Sequence, residues 1–389
     1  MITVGLVPIY KSSTHKLAQL TSRDKRVMLT PQNVAKFKDD FLEINITKNA
    51  GILSGFADQE YKESGAKIVS LAKIYSSQIL LFQTAPTSNE ISKFKKGQII
   101  IGYLNSRNSN IAAQLTKKNC WGIDIELIPR MISAAQNMDV LSSQTSLAGY
   151  CAVLKAADQA KFILPMISSA AGTIKPANIL ILGTGIAGLQ AIATAKRLGA
   201  QVTGYDIRPT SKNEVESLGA KFLDLSIKGL DKEDNGGKLN NDGYAQELSP
   251  KQIADQQKLL NNDLGKYDIV ITTAKVPGKI PPKLITSNGV LNLKKGAVAI
   301  DMAASSAGGN IDGSQDGKTL ITPNRAYIIG ASNLESDAAK SASTLLGNNI
   351  SYILKHFIKD GQFMPDFDNQ VDQALVITKY TKKDNTKYS

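Results

Sequence analysis

Apolar residues in this chain fall into short runs separated by segments of helical periodicity, the pattern of strands alternating with helices. Residues 2–8 form a β-type run, and 44–46, 66–69, 78–82 and 98–103 give further strand-like runs before residue 130. Thr30 followed by Pro31 marks a helix start, with threonine as N-cap and proline at the first helical position. Such alternation predicts a parallel sheet flanked by helices. Residues 142–167 read as one long helix, with Leu147, Tyr150, Cys151, Leu154, Ala157 and Phe162 at near-helical spacing. It would connect a first α/β unit to a second, and Gly172-Thr173-Ile174-Lys175-Pro176 would break it.

The second unit shows strands at 178–182, 201–206, 268–273, 297–301 and 326–329. Between its second and third strands, residues 230–248 are so rich in Gly, Asn and Asp that a mobile loop is expected. Helices follow at 249–261 and 341–357, the latter with Leu345, Leu346, Ile350, Ile353 and Leu354 on one face. That last helix is expected to return to the first domain, and the polar tail 380–389 to fray. The domains predicted are therefore 1–140 plus 341–389, and 141–340.

One turn carries chemistry. Gly183-Thr184-Gly185-Ile186-Ala187-Gly188 follows the apolar strand Ile179-Leu180-Ile181-Leu182 and opens a helix over 189–198. Gly183 permits the tight turn, Gly185 lets a pyrophosphate approach the backbone, and Gly188 brings helix and sheet together. The helix start offers N–H groups and a positive dipole to the phosphates. Asp206 closes the next strand, where a carboxylate accepts both ribose hydroxyls and repels a 2′-phosphate. Arg208, two residues on, is read as packing near the adenine face or a phosphate. This combination points to NAD(H) rather than NADP(H).

Composition narrows the class. At 389 residues, two or three domains are expected, and 42% hydrophobic with 6% aromatic content is enough for a sizeable core. No signal peptide is legible, and no run approaches the ~18 apolar residues a membrane span needs, so a soluble protein is expected. Cys120 and Cys151 lack metal spacing and read as buried thiols in a reducing compartment, and no metal site is expected. The net charge of +12 is spread over scattered lysines, with small clusters at Lys93-Phe94-Lys95-Lys96 and Lys382-Lys383. Without an aromatic-interleaved stripe, this is a solvated surface and not a nucleic-acid footprint. The two histidines, His15 and His356, read as surface residues.

Taken together these residues are similar to a known family. The segment 179–223 resembles the NAD-binding unit of domain I of proton-translocating NAD(P) transhydrogenase, the alpha subunit, in the superfamily that also holds alanine dehydrogenase. Arg26-Val-Met-Leu-Thr-Pro31 resembles the family's N-terminal segment. Glu126-Leu-Ile-Pro-Arg130, then Ala135-Gln136-Asn-Met-Asp139-Val-Leu-Ser142, resembles its nicotinamide-side loop. Gly243-Tyr244-Ala245 matches the tyrosine of its mobile loop. Thr272-Thr-Ala-Lys-Val-Pro-Gly278 and Asp301-Met-Ala-Ala with Gly308-Gly-Asn310 complete the pattern.

The resemblance implies α/β architecture: two Rossmann-like domains with parallel sheets, joined by long helices, with the nucleotide in the cleft. It implies that Arg130, Gln136, Asp139 and Ser142 surround the nicotinamide and its ribose, and that Tyr244 takes part in catalysis. Gly183, Gly185, Ile186, Gly188, Asp206, Ile207, Arg208, Gly243, Ala274 and Lys275 would hold the cofactor. It further implies a homodimer, an NADP-binding beta subunit carrying NADP(H), and a membrane proton-channel subunit. The chain would then sit in the cytoplasm, peripheral on the inner membrane face.

Chemistry separates the two relatives. Oxidising an amino acid releases a proton as well as a hydride and requires an acid/base group. Alanine dehydrogenase resembles this chain but uses a lysine, whose place Phe82 takes, and a histidine absent from Gly102-Tyr103-Leu104-Asn105-Ser106. Hydride transfer between two nicotinamides needs only rings held at roughly 3–3.5 Å in a dry site. Gln136, Ser142 and an Arg130–Asp139 clamp suit that task. The sequence departs from the family pattern in a longer Arg130–Gln136 spacing, in Ala134 where a second arginine is usual, and in Leu334-Glu335-Ser336-Asp337. A stand-alone amino-acid dehydrogenase and a non-catalytic NAD-binding module are the alternatives.

Overall fold

The computed structural model describes residues 1–9, 24–37, 42–225, 248–275 and 278–378. The chain divides into two compact units: Met1–Gln144 with Ala338–Ser389, and Thr145–Asp337.

The first unit is built on six strands: β1 (Ile2–Val7), β2 (Leu42–Ile46), β3 (Lys67–Ile68), β4 (Ile79–Phe82), β5 (Ile99–Gly102) and β6 (Trp121–Asp124). All pair parallel, in the order β3-β2-β1-β4-β5-β6. The central strands are apolar at every position because both faces are covered. In β4, Ile79 and Leu81 join one core while Leu80 and Phe82 join the other. The expected cap is present: Thr30 accepts from the Asn33 N–H, and Pro31 opens the helix Pro31–Ala35.

The helix Ala339–Phe357 belongs to this unit and buries Leu346, Ile350, Ile353 and Leu354 in its core. Leu345, expected on the same face, is instead 39% exposed. At 3.6 residues per turn it lies on the flank of the stripe that Leu346 and Ile350 define.

The second unit opens with an exposed hairpin, β7 (Ile167–Ser169) and β8 (Gly172–Ile174), followed by β9 (Asn178–Leu182), β10 (Gln201–Tyr205), β11 (Lys221–Phe222), β12 (Ile269–Thr272), β13 (Val298–Asp301), β14 (Thr319–Ile321) and β15 (Tyr327–Gly330). Its sheet runs β11-β10-β9-β12-β13-β15-β14. The first six are parallel and repeat the first unit's winding; only β14 adds antiparallel, on β15. Strand order reverses beside β9, which makes the carboxyl ends of β9 and β12 a switch point where ligands bind in doubly wound sheets.

The long helix runs Val140–Gln159 and not 142–167. Pro165 lacks the N–H a helix needs and clashes with the carbonyl four residues back, so the chain leaves the helix and forms the hairpin. The buried face also differs. Tyr150 and Leu154 are exposed, while Ala148, Cys151, Ala152 and Ala156 are buried. Small residues make this contact: a Cβ on Gly149 would sit 2.1 Å from the Ala187 carbonyl oxygen.

The polar 230–248 segment, but for its last residue, and the 380–389 tail lie outside the described residues. Among the described residues, no helix is long and apolar enough to cross a membrane.

Candidate functional site

The sequence places three glycines between β9 and the helix Ile186–Arg197, and the structure separates their reasons. Gly183 has φ +93°, the left-handed region that disfavours a side chain. A Cβ on Gly188 would stand 1.9 Å from the Gly183 carbonyl oxygen, so helix and turn touch backbone to backbone. Gly185 differs from both. Its φ is −74°, and a Cβ there would meet no atom within 4 Å. Neither strain nor packing inside the protein calls for glycine at 185. The open face lies where the helix begins, beside first-turn N–H groups that have no partner within the helix. Ile186, first in the helix, is half-buried.

The turn is braced from β12. Thr273 Oγ1 donates to the Gly183 carbonyl at 2.8 Å, and the Thr273 N–H donates to the Leu182 carbonyl at 2.8 Å. The next residue, Ala274, is held by its own carbonyl, which accepts from Asn310 Nδ2 at 2.8 Å; the same amide also donates to the Pro282 carbonyl at 2.7 Å. Asn310 is fully buried. Lys275 is exposed.

At the tip of β10, Asp206 meets Arg208 face on. Arg208 Nε donates to Oδ1 at 2.9 Å and Nη2 to Oδ2 at 3.0 Å. The Arg208 N–H adds a bond to Oδ1 at 3.0 Å, and Thr184 gives Oδ2 its N–H at 2.9 Å and its hydroxyl at 3.3 Å. Arg208 is thus placed on the carboxylate itself. Ile207, between them, packs against the core of this unit. Burial works against ionisation of Asp206. The bonds and charge of Arg208 and the Thr184 N–H outweigh it and hold the carboxyl below the ordinary range.

A carboxyl whose folded pKa is depressed stabilises the fold fully above its unfolded value, about 3.9, and loses that contribution as pH falls through the lower folded value. Asp206→Asn should therefore cost about 1–3 kcal/mol at neutral pH. Urea unfolding of both proteins from pH 7 downward is expected to show this gap closing in acid; a constant gap would contradict the ionised pair.

In the first unit, Asp139 caps the start of Val140–Gln159: Oδ1 accepts from the Ser142 N–H at 2.9 Å and Oδ2 from the Ser142 hydroxyl at 2.5 Å. Arg130 Nε lies 3.4 Å from Asp139 Oδ2. Three of the four residues assigned to the nicotinamide loop are therefore joined around one carboxylate. Gln136 is exposed, in the short 3-10 segment Ser133–Met138. Gly243 and Tyr244 lie outside the described residues, as does His15.

Phe82, where a dehydrogenase base would stand, is buried edge-on against Phe94, 5.7 Å between ring centres. Arg26 is a buried cation whose guanidinium forks onto Asp24, at 2.9 and 2.7 Å, and donates to Gln144 Oε1 at 2.9 Å. Its charge is compensated within the protein and does not await an anionic substrate. His356 is not the surface residue expected; it is half-buried, paired with the buried Asp372, and packed edge-on to Phe357. The chain folds back there after a tight strand pair, which periodicity alone could not show. Cys120 and Cys151 are buried as expected, and burial pushes the Cys120 thiol up to about 11, away from nucleophilic use.

Sequence reasoning missed Thr184, Thr273 and Asn310 as supporting residues. Thr184 fills a position that the glycine pattern leaves unspecified. Asn310 stands in a segment recognisable by its glycines, but nothing local announces that its amide reaches the loop after β12.

Comparison with known proteins is consistent along the whole chain. The alanine dehydrogenase/PNT N-terminal domain model matches residues 19–148, and the C-terminal domain model matches 152–384. A curated relative from Rickettsia prowazekii (strain Madrid E), an NAD(P) transhydrogenase subunit alpha, is 38% identical over 373 residues, 93% of this chain and 94% of its own length. A solved transhydrogenase structure from Sinorhizobium meliloti superposes with TM-score 0.79 at 32% identity, covering 97% of each chain. An L-alanine dehydrogenase structure gives TM-score 0.69 at 21% identity, over 91% of this chain and 90% of that one, and shares the fold.

Proposed function

This chain belongs to the alanine dehydrogenase/PNT family, as an NAD(P) transhydrogenase alpha subunit, and on that premise we propose that it binds NAD(H) and exchanges hydride with NADP(H) held by a separate subunit. The observation that carries the reading is Gly185, a glycine that its own protein does not require, on an open helix start between Gly183 and Gly188. A backbone that must admit a pyrophosphate explains it. Asp206 is the acceptor for the adenosine ribose. The residues present thus fit a dinucleotide.

The nicotinamide, when bound, is the carrier of the hydride. This chain's own residues have positioning work. Ala274, pinned through its carbonyl by Asn310, and Lys275 define where the loop after β12 offers its backbone. Arg130, Asp139, Ser142 and Gln136 are assigned to the nicotinamide and its ribose, with Gly243 and Tyr244 closing over the nucleotide. A transfer from ring to ring releases no proton, and the buried Phe82 suits it better than a base would. A homodimer, an NADP-binding beta subunit and a membrane proton-channel subunit complete the assembly we propose, with this chain peripheral to the membrane on its cytoplasmic side.

The isolated chain is expected to bind NADH, measurable by calorimetry, and to leave it unoxidised until the NADP-binding subunit is added; hydride then appears on an NADP analogue. Steady turnover of NADH with pyruvate and ammonia by the isolated chain would overturn this reading in favour of a dehydrogenase.

A further inference from the structure

Asp206 has more donors than a carboxylate has room for. Five hydrogen bonds from Arg208 and Thr184 reach its two oxygens, and a carboxylate offers about four lone-pair sites. An adenosine ribose can hydrogen-bond to this group only if a donor leaves. The backbone N–H groups of Thr184 and Arg208 are fixed by the turn and strand end. The Arg208 side chain is the component free to move. Among the described residues its only other anchor is a 3.5 Å contact to the Thr184 carbonyl, and it is 20% exposed against 9% for Asp206.

Charge sharpens the point. A bare carboxylate would repel a 2′-phosphate, but this one is neutralised by a guanidinium bonded to both its oxygens. The guanidinium is also the side chain that best matches phosphate geometry. The site therefore holds, within one ion pair, the recognition element for each coenzyme: an acceptor for a free 2′-hydroxyl and a fork for a 2′-phosphate.

Resting on the reading of this turn as a dinucleotide site, we propose that Arg208 is a specificity-determining residue held in check by Asp206. The carboxylate selects NAD(H) by capturing the arginine as well as by meeting the ribose. NADH binding displaces the guanidinium from at least one oxygen. Removal of the carboxylate frees it to receive the 2′-phosphate of NADP(H).

The test measures NADH and NADPH binding to the full chain by calorimetry. For Asp206→Ser, whose hydroxyl can still accept from the Thr184 N–H, NADPH affinity is expected to rise about tenfold or more while NADH affinity falls by a similar factor. Adding Arg208→Ala to that variant should abolish the NADPH gain. If the double variant gains as much as the single one, repulsion alone sets selectivity and the proposal is overturned. It is equally overturned if Asp206→Ser does not tighten NADPH. Should Asp206→Ser fail to fold, Arg208→Ala alone decides: with its carboxylate uncompensated, the ratio of NADPH to NADH dissociation constants is expected to rise about tenfold, and an unchanged or smaller ratio refutes the mechanism. A wild-type chain that binds neither coenzyme sinks the dinucleotide reading itself, an outcome distinct from these.

Discussion

Gly188→Ala is expected to destabilise the second unit by at least about 3 kcal/mol and to abolish measurable NADH binding. The added Cβ would lie 1.9 Å from the Gly183 carbonyl oxygen and 2.9 Å from its carbon. Neither atom can retreat cheaply. Gly183 already holds a left-handed φ of +93°, and its carbonyl is tied to Thr273 Oγ1 at 2.8 Å. Relief must come from moving the helix Ile186–Arg197 off the sheet, which uncovers buried Ala191, Ile192 and Ala195. The matched control is Gly185→Ala. With nothing within 4 Å of the new methyl, its stability should stay within about 1 kcal/mol of wild type while NADH affinity falls about tenfold or more, since the methyl occupies the space assigned to the pyrophosphate. Urea unfolding followed by circular dichroism, paired with calorimetry, reads both quantities. A Gly188→Ala protein as stable as wild type would refute the packing argument, and a Gly185→Ala protein that binds normally would remove the support for a ligand there.

Asp301→Ala should be nearly as damaging, at about 3–5 kcal/mol, the scale of stripping a buried charged acceptor from its donors. Asp301 is fully buried at the end of β13. Its Oδ1 accepts from the Ala303 N–H at 3.0 Å and the Thr272 hydroxyl at 3.3 Å, and its Oδ2 accepts from the Ile311 N–H at 3.0 Å. Alanine would leave two backbone donors buried without partners. The effect should spread toward the nucleotide turn, because Ile311 follows Asn310, whose amide pins Ala274. The experiment combines thermal unfolding with NADH titration. Loss of stability with unchanged affinity would show that this carboxylate supports the fold alone; loss of both is the result expected.

Much of this architecture is legible along the chain. Strand runs near 2–7, 78–82, 98–103, 178–182 and 201–206 are apolar because the sheets are covered on both faces, and the turn Gly183–Gly188 is readable because backbone geometry admits few alternatives. Thr30-Pro31 gives its helix start through purely local chemistry. Errors arise where tertiary contacts outvote local pattern. The helix 140–159 buries small residues and exposes Tyr150 and Leu154, since Gly149 must approach the Ala187 backbone. His356 reads as a surface residue until the returning segment brings Asp372 beside it.

What the amino-acid order determined alone is therefore a set of local commitments: the α/β class, the positions of most strands, and a glycine turn with an acidic strand tip beyond it. Each follows from periodicity, capping or φ restriction within a few residues. Only the tertiary structure decided that Arg208 lies on Asp206, that Thr273 braces Gly183, and that Asn310 holds Ala274 from 36 positions away. Those contacts depend on which strands lie side by side, and strand order is set by the global burial of two faces of a sheet, a quantity no short stretch of chain contains.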